Sequence, residues 1–216
     1  MNVGENLLRY KKDQVYCGYD DETANLNLLH INLPFQVSWI LFTQKEVLET
    51  HNYYLNWGGK LKMSKDAARI TRYDEDLVKR EGKDPKEIYL KFRSVQDNKD
   101  ILLVAHSGLA FDNQVNKIWC EAVGEINRWD YLQRYYDTSL NAKAIKENIK
   151  FDANNKLAWY FKLNSLVKKG LKTNLALLAR EYGINQDENS GYHDSAFDIN
   201  IMKQVFLKQL WELEIS

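Results

Sequence analysis

Several acidic side chains sit at positions where a folded chain does not leave a carboxylate alone. Asp198 precedes Ile201, Met202 and Val205 by three, four and seven residues, so on a helix it shares their apolar stripe. Asp112 repeats the pattern with Val115 and Trp119. Asp20 and Glu22 are two residues apart and share one face if the chain there is extended. An unpaired carboxylate on an inward face is costly unless it takes up a proton or finds a counter-ion. Converging carboxylates with no cationic residue at matching positions call for a divalent metal, and oxygen donors select Mg²⁺ or Mn²⁺ over zinc. Two such ions about 4 Å apart suit displacement at a phosphoryl centre.

Each residue also has a plainer reading. Asp20 or Glu22 alone can form a turn after a strand. Asp112 can cap the helix that follows it. Asp198 can be one half of a buried Asp–Lys or Asp–Tyr pair. His193 alone can be a surface or capping histidine.

The elements that must position these residues are legible from periodicity. Gln14–Tyr19 is β-prone and runs into Asp20-Asp21-Glu22, and further strands are expected over Phe35–Phe42 and Val47–Trp57. Trp57-Gly58-Gly59-Lys60 reads as a turn; it lacks the upstream glycine of a phosphate-binding loop. Pro85 marks a helix start, with Ile88, Tyr89 and Phe92 at helical spacing after it. Ile101–Ala105 is a continuous apolar run, as in a strand buried on both faces. Helices are expected over Ala110–Gly124 and Leu175–Tyr182, and a long amphipathic one follows His193. The stretch from Ile126 to Lys172 is expected to be mostly helical. Strands early and helices late, joined by a buried strand, indicate a mixed α/β layer fold.

Composition narrows the class. The 216 residues carry 30 Lys+Arg and 30 Asp+Glu, so net charge gives no sign of the basic footprint usual in a nucleic-acid-binding protein. It does not say where the charges lie. Cys17 and Cys120 stand apart, which argues against a disulfide framework or structural zinc and for two small apolar core residues. The opening residues lack the apolar block of a signal peptide, and unbroken apolar runs such as Trp39–Phe42 are too short for a membrane span. A cytoplasmic protein without membrane association is the expectation.

Three sequence blocks then carry a family resemblance. Tyr19-Asp20-Asp21-Glu22-Thr23 has an Asp-x-Glu-Thr core after a strand. Leu103-Val104-Ala105-His106-Ser107…Phe111-Asp112 leaves a buried strand and enters a helix. His193-Asp194-Ser195-Ala196-Phe197-Asp198 sets a histidine five residues before an aspartate. In this order the blocks resemble the DEDDh (DnaQ-like) 3′→5′ exonucleases. Ile70-Thr71-Arg72-Tyr73, Tyr136-Asp137-Thr138-Ser139-Leu140 and Leu175–Ile184 add similarity between them, so the resemblance covers roughly residues 14–207. Ser107 departs from the pattern, standing where the family often has Asn.

The resemblance implies an α/β, ribonuclease H-like fold: a five-stranded mixed β-sheet flanked by α-helices, with the first three strands antiparallel and the 101–105 strand beside the first. It implies that Asp20, Glu22, Asp112 and Asp198 bind two Mg²⁺ or Mn²⁺ ions and that His193 is the general base. Five residues are about 140° of helix, so His193 belongs in the loop before the helix if it is to reach the same site. Thr23, Leu26, His106 and Ser107 are candidates for holding the terminal nucleotide. Residues 1–216 are read as a single exonuclease domain, with 141–172 as a family-specific helical insertion. The expected partners are 3′ ends of single-stranded DNA or RNA, and the resemblance allows a DNA polymerase beside them. Two basic runs, Lys60…Arg69 and Lys162…Lys172, can track a nucleic-acid backbone or simply be solvated faces. Two functional readings stand: an active exonuclease, or a catalytically silent binding module of the same fold.

Overall fold

The computed structural model describes residues 6–25, 28, 32–185 and 194–216. Strand β1 (Tyr16–Thr23) pairs antiparallel with β2 (Pro34–Phe42), and β2 pairs antiparallel with β3 (Val47–Tyr54). Helices α1 (Lys65–Thr71), α2 (Glu75–Glu81) and α3 (Pro85–Asp97) follow, then β4 (Leu102–Ala105) and α4 (Asp112–Ala122). Strand β5 (Tyr135–Asp137) leads into α5 (Thr138–Lys146), α6 (Lys156–Ser165), α7 (Leu175–Glu181) and α8 (Ser195–Glu212). The sheet order is β3-β2-β1-β4-β5, with β4 parallel to both β1 and β5. The expected five-stranded mixed sheet flanked by helices is therefore present, with its first three strands antiparallel and β4 beside β1.

Three local readings need correction. The acids do not follow the first strand as expected; they lie inside it, because ladder pairing with β2 continues through Asp20↔Ser38 and Glu22↔Gln36. The third strand stops at Tyr54, before Trp57. Within the region expected to be mostly helical, Tyr135–Asp137 forms the fifth strand, three residues long and fully buried against β4. A strand that short carries no periodicity of its own.

Helix starts follow from capping chemistry. The side chains of Ser64, Asp74, Asp84, Asp137, Asn174 and Asp194 each accept a first-turn backbone N–H of the helix they precede. Pro85 occupies the first turn of α3, as its fixed φ favours.

Alternation along β1 builds the core on both sides of the sheet. Tyr16 packs on Phe206 of α8, with ring centroids 5.2 Å apart, and a β-carbon at Gly18 would meet Met202 Cε at 2.7 Å. On the other face Tyr19 packs on Phe92 of α3 and donates a 2.8 Å hydrogen bond to Asn113 Oδ1 of α4. Asp20 and Glu22 continue the face turned to α8, and Asp21 continues the face turned to α3 and α4. Cys17 and Cys120 are buried and unbridged, as expected. Among the described residues no helix is long and apolar enough to cross a membrane.

At Gly18 there is no room between β1 and α8 for a side chain. Gly18→Val would drive two methyl groups into Met202, Ile40 and Phe42, and we expect it to lower stability by about 2 kcal/mol or more. Chemical denaturation measures this; an unchanged midpoint would show that α8 does not press on the strand there.

Candidate metal centre

Beyond Gly18, β1 outruns its parallel partner: its pairing with β4 ends at Gly18↔Val104, while β1 continues to Thr23. The first turn of α4 fills the vacated side, where the backbone N–H groups of Asp21 and of Asp112 itself favour the charged form of the Asp112 carboxyl. Asp112 is thus the first residue of α4 rather than its cap, which is Phe111. On the opposite face the start of α8 is tied to β2. Gln36 Nε2 donates to Asp194 Oδ1 at 3.0 Å, and the Ser38 and Ser195 hydroxyls lie 2.6 Å apart. These bonds set Asp198, one turn into α8, over the end of β1.

One carboxylate oxygen from each of Asp20, Glu22 and Asp198 lies within 4.8 Å of the other two. Asp112 stands outside that triad but lines the same cavity, about 860 Å³ in volume. Thr23, His106 and Ser107 also line it, as do Asp21, Ser64, Asp66, Ile70, Thr71 and Phe111. Four predicted ligands and three of the four predicted substrate contacts therefore border one space. Leu26 and His193 lie outside the described residues. Thr23 Oγ1 donates to Asn25 O at 2.7 Å, and His106 Nδ1 is 2.8 Å from Thr138 Oγ1.

Sequence reasoning passed over Asp21, Asp66, Ile70 and Phe111 as cavity residues. Asp66, Ile70 and Thr71 belong to α1, a charged seven-residue helix whose spacing gives no sign that it reaches the site. Of the first basic run, no Lys or Arg lines the cavity, and the second run contributes none of the lining either.

Electrostatics here is one-sided. Burial pushes the Asp20 carboxyl well above the usual carboxylate range, and repulsion from Asp112, Glu22, Asp198 and Asp21 adds to the shift. Burial and the charges of Asp198, Asp112 and Asp194 raise Glu22 to about 8. Burial raises Asp112 to about 7, against the two backbone N–H groups that favour its charged form. The His106 imidazole is lowered by burial, with Asp137 opposing the shift. Among the described lining residues there is no Lys or Arg to offset the acids. A donor set made only of carboxylate oxygens, short of compensating charge, fits a hard divalent cation.

No family model and no curated protein matches this sequence. Solved structures do match. The zinc-bound complex of E. coli exonuclease I with single-stranded DNA superposes with a TM-score of 0.67 at 16% identity, over 91% of this chain and 40% of that one. The same enzyme with a dT13 oligonucleotide gives 0.68 at 16% identity, again over 91% and 40%. A further exonuclease I structure, concerned with processivity, gives 0.68 at 15% identity over the same shares. The chain thus spans 40% of the length of those proteins. At such identities the likeness establishes the fold, which is ribonuclease H-like.

The raised carboxyl pKa values fix a pH dependence. Asp112 and Glu22 move from 3.8 and 4.5 in an open chain to about 7 and about 8, so the folded, metal-free protein binds the extra protons. Their contribution to stability is fully present below the unfolded values and is lost as pH rises through 7 to 8. We expect the Tm of the metal-free protein, as far as this cluster governs it, to fall between pH 5.5 and 8.5. Added Mg²⁺ should raise Tm more at pH 8 than at pH 6, because fewer protons must leave. Differential scanning calorimetry in EDTA and in Mg²⁺ tests both trends; a larger Mg²⁺ increment at the lower pH would contradict this account.

Proposed function

We propose that this chain is a metal-dependent 3′→5′ exonuclease that hydrolyses the terminal phosphodiester of single-stranded nucleic acid, DNA in preference, releasing nucleoside 5′-monophosphates. The observation that carries this reading is the carboxylate triad of Asp20, Glu22 and Asp198, joined by Asp112 at the wall of one cavity. Its support from outside the chain is a fold shared with exonuclease I structures that contain single-stranded DNA.

In this reading Asp20, Glu22, Asp112 and Asp198 hold two Mg²⁺ or Mn²⁺ ions. When bound, such ions polarise the scissile phosphate and stabilise charge on its attacking and leaving oxygens. The carboxylates give up their extra protons as the cations enter and keep the site in register with the strand end. His193 takes the proton from the attacking water, a task suited to a side chain that titrates near neutrality. Its assignment rests on the third sequence block alone. Thr23, Leu26, His106 and Ser107 hold the terminal nucleotide. Residues 1–216 are read as one exonuclease domain, with 141–172, which includes α6, as its added helical part. Action beside a DNA polymerase belongs to the same proposal, and its support is the family resemblance.

An oligonucleotide labelled at its 3′ end tests the reading directly. With Mg²⁺ the label should appear as mononucleotide from the first time point, and EDTA should abolish release. Matched DNA and RNA strands report the preference. Asp20→Asn and Asp198→Asn should each slow release by at least about 100-fold, the loss of several kcal/mol of charge stabilisation. His193→Ala should retain metal binding and lose about 10²–10⁴-fold in turnover. Full activity in His193→Ala would remove that residue as the base. Strand binding without metal-dependent release from either DNA or RNA would favour the silent binding module instead.

A further inference from the structure

Asp137, outside the acidic cavity and at the end of β5, is wholly buried. A helix cap needs one side-chain oxygen, and Asp137 Oδ1 supplies it to α5 through Ser139 N at 3.0 Å and Leu140 N at 3.1 Å. Three further donors converge on the same carboxylate. Ser107 N reaches Oδ1 at 3.1 Å, while Leu109 N at 3.1 Å and Tyr135 Oη at 2.8 Å reach Oδ2. Capping alone does not account for the second oxygen, which turns toward the chain between β4 and α4.

That segment is the approach to Asp112. Ser107 holds a left-handed backbone, φ 59°, which a serine adopts only under constraint. Asp137 grips the N–H groups on either side of Gly108. Ser107 O accepts from Ala110 N and Phe111 N, and Gly108 O accepts from Asn113 N at 2.9 Å, inside the first turn of α4. Gly108 also bounds the ligand itself: a β-carbon there would lie 3.2 Å from Asp112 Oδ2 and 2.7 Å from Tyr135 Oη. The turn and the start of α4 form one hydrogen-bonded block, so any displacement at residues 107–109 passes to the Asp112 carboxylate.

We propose that Asp137 is a positioning residue for the metal centre: beyond capping α5, its two carboxylate oxygens hold Ser107 N and Leu109 N, and so clamp the 107–109 turn and hold Asp112 in place to bind metal. This rests on the metal-site reading given above. Asp137 itself touches neither metal nor substrate; it acts through the turn.

Two substitutions separate this role from simple capping. In Asp137→Asn the carboxamide has one acceptor oxygen; if that oxygen keeps the α5 cap, its NH₂ confronts the Leu109 N–H, which cannot reverse its polarity. Asp137→Ser preserves a good helix cap and gives up the second oxygen altogether. Calorimetric titration with Mn²⁺, with far-ultraviolet circular dichroism to confirm folding, should show metal affinity weakened about 10-fold or more in both variants. The Mn²⁺ concentration for half-maximal nucleotide release should rise in parallel, with KM for the strand little changed. Combined with Asp112→Asn, either variant should weaken Mn²⁺ binding no further than Asp112→Asn alone, because the two residues act on one ligand. A lowered Tm with unchanged Mn²⁺ affinity in both variants, while Asp112→Asn shows its own defect, would overturn the inference and leave the metal site standing. Unaltered Mn²⁺ binding in Asp112→Asn would overturn the assignment of Asp112 as ligand, and this inference with it.

Discussion

Repulsion among carboxylates held close together in a partly dry cleft is the constraint around which this structure is organised. Left to themselves, Asp20, Glu22 and Asp198 would separate or neutralise, and their shared space exists only because backbone elements oppose that tendency. The opposition comes from β1, locked between β2 and β4 in the middle of the sheet, and from α8, pressed onto it at Gly18. The strain appears as protons retained at a pH where isolated acids have lost them. A divalent cation relieves it, which is why the cluster reads as a cation site rather than as a defect of folding.

The two faces of β1 divide the work. The face that carries Tyr16 and Gly18 continues into Asp20 and Glu22 and meets α8. The face that carries Cys17 and Tyr19 continues into Asp21 and meets α3 and α4. Asp112 reaches the cavity by a different route, at the start of a helix that occupies the side of β1 left open where β4 ends. The site is therefore assembled from both helical layers across the end of one strand, and neither layer alone completes it.

Much of this was legible in the sequence, for reasons that can be named. The period-two spacing of Asp20 and Glu22 and the helical spacing of Asp198 and Asp112 are local patterns, and the structure brings all four residues to one cavity. Continuous apolar composition disclosed β4, and Pro85 disclosed the start of α3. Tyr135–Asp137 escaped as a strand because three residues cannot display a period; burial against β4 makes them extended, and that is a tertiary effect. Asp21 escaped because an acid between two predicted ligands on a strand reads as solvent-facing, whereas here both sheet faces are covered. Asp66 and Ile70 escaped because α1 reaches the cavity through the course of the chain after β3, which no spacing rule encodes. The arrangement at Asp137 had a partial signal: an aspartate followed by Thr138-Ser139 announces a helix cap, but nothing local announces that its other oxygen accepts from Leu109 N, 28 residues upstream.

The cluster draws its members from residues 20 and 22, from 112 at its wall, and from 198, and this order has a consequence for the chain as it is made. Synthesis proceeds from the N-terminus, so all five strands leave the ribosome before Ser195–Glu212. The sheet can pair while the acids on β1 are still without their last neighbour. Only when α8 docks is the carboxylate triad complete, together with the share of the repulsion that Asp198 adds. A nascent chain is thereby spared the last part of that electrostatic burden, and whatever reactivity the completed cluster has, until all five strands are in place.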